Sequence, residues 1–581
     1  MDVSRRSLLR GALAGAAGLT VCRAAPSLAG TPVLTGRATP PLRAPEGTTL
    51  DSTLLRGRPG RAGYVGISTG PGEPHVLRTD LATPSADRAR SRTALLAFAH
   101  LTDTHVVDAQ SPARAEFLSR YGGALRGGHR PHEMLATQVV DAMATAVRQH
   151  DRGPVTGRTL DLALSTGDNV DNRQYNEVRW FLDLFDGGRT VAPDSGDRTR
   201  WEGVSDQDLL TYDVHYWHPD GQPAGREVDR LRSLYGFPSL PGLLDACRRP
   251  FTSTGLGVPW YSVYGNHDGA IQGTLQRTPS LGEYAVGPVK HIGAGPSPSD
   301  VPGLTPGVLL GGPARLVTAD PDRRFLTKKE WVAEHLAKPG APHGHGFTQR
   351  NLDTDTAYYE ADLTDQVRLL VLDSTTPGGN DTGSLDVVQR DWLEARLKAS
   401  SSRYLAADGS WAAQPGVVDR LVLVASHHTI ATMDNVLLGP GETAPRVQGD
   451  EVLALLLRFP NVVAWINGHT HTNAVTPHRG PTGGFWEVTS ASHIDWPQQS
   501  RLVELVDNRD GTLSLFGTVI DTAAATTGGL GSPLALAGLS RELSANDPNT
   551  RADADPDARR GTREGRNVEL VVRAPFAVSQ R

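Results

Sequence analysis

Short apolar runs punctuate this chain at wide intervals, and five share one design. They are TALLAFAHL (93–101), LDLALS (160–165), VPWYSVY (258–264), RLVLVAS (420–426) and NVVAWIN (461–467). Each is rich in aliphatic residues and breaks off at glycine or polar residues, the pattern of a buried strand. VRLLVLD (367–373) is another such run. Between them apolar residues recur at helical spacing. Leu135, Val139, Met143 and Val147 form one stripe. Tyr175, Val178, Phe181, Leu182 and Phe185 form a second, stopped by Gly187-Gly188. EVLALLLRF predicts a helix ended by Pro460, and Ser384 is placed to cap one carrying Val388, Trp392 and Ala395. RLVELVD and TLSLFGTVID flank Asn508-Arg509-Asp510-Gly511 and predict a hairpin.

Side chains able to bind metal stand just past each of the five runs. Asp103 and His105 come after the first, Asp168 after the second, Asn266 after the third, His427 after the fourth, and His469 and His471 after the fifth. Open α/β sheets bind ligands beyond the carboxyl ends of their strands. Residues two apart on extended backbone point the same way, so Asp103 and His105 are expected to reach one metal; His469 and His471 are again two apart. Glycine before Asp168, Asn266 and His469 permits tight turns. Oxygen and imidazole donors in this mixture can hold two divalent metals side by side. Singly, a histidine after a strand or an aspartate after glycine is an ordinary turn or core residue. Seven in this order argue for a site.

The motifs closely resemble the calcineurin-like metallophosphoesterase superfamily: Asp103-Thr104-His105, Gly167-Asp168-Asn169-Val170-Asp171, Gly265-Asn266-His267-Asp268, His427-His428 and Gly468-His469-Thr470-His471. Five ordered blocks are a strong signal. The twin-arginine start and SHIDWPQQSRLVEL are similar to a group of large actinobacterial phosphoesterases exported by the Tat route. The resemblance implies an α/β fold, a four-layer α/β/β/α sandwich of two mixed sheets with long loop insertions. It implies that Asp168 bridges two metal ions, that Asp103, His105 and His471 complete one site, and that Asn266, His427 and His469 complete the other. His267 then corresponds to the histidine that stabilises the transition state or protonates the leaving oxygen. Asp268 is expected to fix its tautomer. Asp171 and His428 are expected beside the ligands. Asp171 stands where purple acid phosphatases carry tyrosine, so no tyrosinate colour is expected.

The expected reaction is hydrolysis of a phosphate mono- or diester by a metal-bridging hydroxide, with Fe, Mn or Zn as the metals. Two other readings stay open: a nucleotidase or nucleotide phosphodiesterase, and a catalytically silent binding protein of the same fold.

Composition adds a compartment. Residues 1–30 combine Arg5-Arg6, a mild apolar stretch and small residues near Ala25 and Ala29, which resembles a Tat signal peptide. That implies the Tat machinery as a partner and an extracellular, cell-wall or periplasmic destination. Val21 makes Cys22 a poor lipoprotein site, and its removal would leave Cys247 as the single cysteine. No later stretch is apolar enough to span a membrane. The formal net charge of −6 disfavours a nucleic-acid polymer and leaves a small phosphorylated substrate.

The remaining organisation is an N-terminal extension (31–92), a phosphoesterase domain (93–523) with insertions at about 187–250 and 270–350, and a polar, partly disordered tail (524–581) in which NVELVVRAPF is a candidate terminal strand. The aromatic cluster in TYDVHYWHPDG is expected as a satellite core. His343 and His345 are candidates to reach the pocket from the second insertion. His493 is placed either to touch substrate or to serve the structure.

Overall fold

The expected strands assemble into two mixed sheets. In the computed structural model, which describes residues 47–121, 127–275, 278–295 and 309–578, one sheet has seven strands and the other six. The expected signal peptide, Cys22 and the first part of the N-terminal extension lie outside the described residues.

The seven-stranded sheet runs Val76–Arg78, Val568–Arg573, Thr512–Asp521, Gln499–Asp507, Thr93–Leu101, Leu162–Ser165, Trp260–Ser262. Its last three strands are parallel. The six-stranded sheet runs Tyr359–Asp362, Val367–Val371, Leu421–Ala425, Val462–Asn467, Gly483–Thr489, Ala474–Gly480, with four parallel strands at its centre. Buried residues of both sheets, among them Phe98, Leu164, Leu369, Leu423, Ile466, Trp486 and Leu570, form one apolar cluster. The Trp486 indole N–H donates across it to the carbonyl of Val571 at 3.1 Å.

Helices flank the sheets where the apolar stripes predict them. Ala136–Gln149 buries Val139, Val140, Met143 and Val147. Tyr175–Asp186 is entered by a capping box of Gln174 and Glu177 and left at Gly187, φ 79°. Val387–Lys398 and Gly449–Leu456 cover the six-stranded sheet through Trp392, Leu393, Leu397, Val452 and Leu456. The cap of Val387–Lys398 is Asp386, whose carboxylate accepts the Gln389 N–H. Ser384 instead accepts a bond from Arg446. The expected hairpin pairs Gln499–Asp507 with Thr512–Asp521.

The expected terminal strand in NVELVVRAPF forms inside the larger sheet, and in place of partial disorder the stretch before it supplies helix Pro533–Ala545, which packs on Ala136–Gln149 through Ala537, Val139 and Ala142. Its polar residues have distant partners: Asp557 accepts the Trp496 indole N–H at 2.8 Å, and Arg566 pairs with Glu73 at 2.7 Å. The N-terminal extension likewise adds the edge strand Val76–Arg78. The insertions build satellite cores. Trp217, Phe237, Leu243 and Cys247 pack with Met134, Leu135 and Leu539, while Ile271, Leu281 and Phe325 pack with Ala113 and Phe117. Among the described residues no helix is long and apolar enough to cross a membrane.

Candidate metal centre

All seven predicted ligands lie just past the carboxyl ends of parallel strands. Asp103, His105, Asp168 and Asn266 come from the larger sheet, and His427, His469 and His471 from the smaller. The loops are knitted together by backbone bonds. Asp103 and His105 donate to the carbonyls of Gly167 and Asp168 at 3.0 Å, and Gly468 donates to His427 at 3.0 Å. Across the sheets, the His469 N–H reaches Asp103 Oδ2 at 3.0 Å and His427 Nδ1 lies 2.9 Å from the carbonyl of Thr166.

The backbone at the ligands is not extended. Asp103 (φ 52°), His105 (45°), Asp168 (50°), His469 (67°) and His471 (55°) all occupy the left-handed region. Such conformations are uncommon for residues with a Cβ and are held in place by the surrounding contacts. The alternation argument from extended strands is therefore replaced. Asp103 and His105 share one group of donors because left-handed turns bend their loop over the strand ends, whereas the next pair divides, His471 joining Asp103 and His105 and His469 lying with His427 and His428. The preceding glycines differ in function. Gly167 has φ 95°. Gly265 and Gly468 are needed for room: a methyl at Gly265 would meet the Asp168 N and Oδ1 at 2.2 and 2.4 Å, and one at Gly468 would meet Thr102 Oγ1 at 1.9 Å and Asp103 Oδ2 at 2.4 Å.

The donor atoms converge. Asp103 Oδ1 lies 3.2 Å from His471 Nε2 and 3.9 Å from His105 Nε2. Asp168 Oδ2 lies 3.1 Å from His427 Nε2, 3.8 Å from His105 Nε2 and 4.0 Å from His267 Nε2. Groups within reach of a single ion include Asp103 with His105 and His471, and Asp103 with Asp168 and His427. Asp103 Oδ1, His427 Nε2 and both amide atoms of Asn266 are buried and make no hydrogen bond. Such orphans are costly in a folded protein, and all four belong to the expected ligands. The donor set fits two divalent metal ions.

Electrostatics agree. Burial opposes charge on His427, but Asp168 and Asp103 outweigh it and raise its pKa to about 9. Burial likewise opposes charge on His471, and Asp103 and Asp495 prevail. Burial works against ionisation of Asp168, yet His427 and His267 hold its pKa well below the usual carboxylate value. The buried carboxylates thus favour positive charge beside them, which metal cations would supply.

The imidazoles are oriented by groups behind them. His105 Nδ1 and His267 Nδ1 both lie 2.7 Å from Asp171 Oδ1. His471 Nδ1 lies 2.6 Å from Asp495 Oδ2. This corrects the role expected of Asp268, which does not touch the His267 ring. Its carboxylate accepts the N–H groups of Asn169, Val170 and Gly265 at 3.1, 3.1 and 2.8 Å, and so clamps the Asp168 loop to the Asn266 loop. Burial and neighbouring Asp168 push its pKa up to about 7. Between adjacent histidines, His428 is satisfied, with Nδ1 2.8 Å from Ser374 Oγ and Nε2 2.8 Å from the carbonyl of Asp381. His427 keeps the orphaned nitrogen.

Other candidates fall away. His345 stacks on Trp260 at 3.8 Å and bonds Asp186, and His343 is exposed. His493 is buried with Nε2 2.8 Å from Ser500 Oγ, a structural contact. Asp495 is not among the expected site residues: it lies in the SHIDWPQQSRLVEL stretch, but only its imidazole partner marks it as part of the site.

No protein-family model matches the chain, and no curated protein does. Solved structures overlap it loosely. A dimetal phosphatase from Danio rerio has 13% identity and a TM-score of 0.34, over 74% of this chain and 100% of that one. A sulfate thiohydrolase from Thermus thermophilus has 14% identity and a TM-score of 0.27, over 74% of this chain and 57% of its own. A purple acid phosphatase from yellow lupin seeds has 10% identity and a TM-score of 0.26, over 78% and 56%. This chain thus spans little more than half of the latter two. Similarity at this level carries no chemistry, and the site stands on its own geometry.

Proposed function

We propose that this chain is a metal-dependent phosphoesterase of the calcineurin-like superfamily, hydrolysing a phosphate mono- or diester. The carrying observation is the pair of buried groups Asp103–His105–His471 and Asp103–Asp168–His427, each within reach of one ion and drawn from strand ends of both sheets. The architecture fits a four-layer α/β/β/α sandwich, its catalytic unit running from about residue 93 to 523 and extended by the strands at 76–78 and 568–573. The twin-arginine start supports export by the Tat route and membership of the actinobacterial group.

Fe, Mn or Zn would be held by Asp103, His105 and His471 on one side, by Asn266, His427 and His469 on the other, and by Asp168 between. Bound there, two cations would offset the charge of a phosphate ester and acidify water beside it. The chain's own residues do the rest. Asp171 fixes Nδ1 of His267, whose partly exposed ring presents Nε2 toward Asp168. That nitrogen is placed to give a proton to the departing oxygen. Asn266 is neutral, so the pocket keeps a positive balance for an anionic substrate.

The test is elemental analysis of the purified chain, followed by hydrolysis of an aryl phosphate and an aryl phosphodiester after metal exchange. About two metal equivalents and metal-dependent turnover are expected. Bound metal without turnover on either ester, nor on nucleotides, sugar phosphates or glycerophosphodiesters, would leave a silent binding protein.

A further inference from the structure

Two buried arginines lie behind the histidines, in the segment after the first ligand motif. Arg114 ends the short turn Pro112–Arg114 and is 2% exposed. Its Nε and Nη2 donate to the two carboxylate oxygens of Glu133, both at 2.7 Å, and its Nη1 lies 3.2 Å from Asp171 Oδ2. Arg130 donates through Nε to Asp495 Oδ1 at 2.6 Å and through Nη2 to Asp495 Oδ2 at 3.1 Å. Glu133 also accepts the backbone N–H of Arg130 at 2.8 Å. One carboxylate thus ties both arginines into a single unit.

The unit is well anchored. Ala113 and Phe117 pack into the cluster of Ile271, Leu281 and Phe325, and Met134 and Leu135 pack against Trp217 and Leu539. His132 Nε2 lies 2.6 Å from the carbonyl of Ile494, so the segment grips the Asp495 stretch at two points. Arg559 adds a second guanidinium to Asp495, at 3.2 Å.

A carboxylate buried behind an imidazole would neutralise or turn away unless its own charge were compensated. A guanidinium fork fixes both position and charge of its partner. The geometry points to Arg114 and Arg130 as positioning residues of the metal centre. Arg114 acts through Asp171 on His105 and His267, and Arg130 acts through Asp495 on His471. The inference rests on the metal-centre reading above, and the experiment separates the two.

The full chain is titrated with Mn(II) or Zn(II) against a chromogenic chelator, and bound metal is counted by elemental analysis. Arg130→Met should weaken metal binding about 10- to 100-fold, the usual loss for groups behind a ligand. Arg130→Lys keeps the charge without the fork and should recover only part of the loss. Asp495→Asn should weaken binding similarly. Adding Arg130→Met to it should cost less than about twofold more, because the arginine acts through that carboxylate. The double variant removes both buried charges and so also guards against misfolding of the single one, with thermal unfolding of the metal-free forms as the check. Wild-type affinity in Arg130→Met, or losses that multiply in the double variant, would overturn the proposal. A wild-type chain that takes up no metal overturns both this and the phosphoesterase reading. The predicted dependence in a chain that hydrolyses no phosphate ester supports the brace and sinks the enzyme alone.

Discussion

The two halves of the proposed metal centre are held in different ways. Around Asp103, His105 and His471, the imidazoles lean on Asp171 and Asp495, and those carboxylates face Arg114, Arg130 and Arg559. Around Asn266, His427 and His469, the support is loop backbone, clamped by the Asp268 carboxylate and by Asp103 accepting the His469 N–H. The Thr166 carbonyl meets His427, and Gly265 lets the Asn266 loop lie against Asp168. The first half is set by long side chains arriving from other segments. The second is set by loops that touch one another directly. Charge compensation and loop proximity are alternative ways to hold a donor still, and this site uses one on each side of Asp168.

The sharpest way to break that comparison is to remove what the halves share. Asp168→Ala should lose most bound metal and nearly all hydrolysis, read by elemental analysis and turnover. Retention of both metals in that variant would show that the halves do not meet at this carboxylate. Next in size is His267→Ala, which should keep its metal but lose about 10²- to 10⁴-fold in turnover. Normal turnover in the metal-loaded variant would remove His267 from the chemistry. The backbone-built half is probed by Gly265→Ala. Its new methyl would strike Asp168, so a loss of about 1–3 kcal/mol of stability is expected together with weakened metal binding. An unchanged melting temperature and metal content would show that the loops have slack. The smallest effect separates the two carboxylates near His267. Asp268→Asn leaves three backbone N–H groups with a poorer acceptor and should cost about 1–3 kcal/mol of stability. Asp171→Asn should instead lower turnover and metal affinity. The reverse pattern would restore Asp268 as the group that orients His267.

The expected ligands were legible because each follows an apolar run in its own local sequence, with a glycine also marking the place for Asp168, Asn266 and His469. The helices were legible for the same reason, as stripes such as Val139, Met143 and Val147 report burial on one face. The groups that orient the ligands were not. Arg130 meets Asp495 across 365 positions, and no local pattern distinguishes that aspartate from a solvated one. The polar stretch before Val568 misled in the same way. Its composition suggests solvent, whereas Asp557 and Arg566 bond with Trp496 and Glu73.

Covalent neighbourhood and side-chain chemistry were enough to name seven donors and to order them along the chain. Only tertiary structure decided how they are aimed. It bent Asp103, His105, Asp168, His469 and His471 into left-handed backbone, gave Asp171 rather than Asp268 to His267, and brought Arg114, Arg130 and Arg559 behind the imidazoles. The reason is one of range. Strand and helix patterns arise from contacts a few residues apart, while a buried charge finds its partner wherever the fold delivers one.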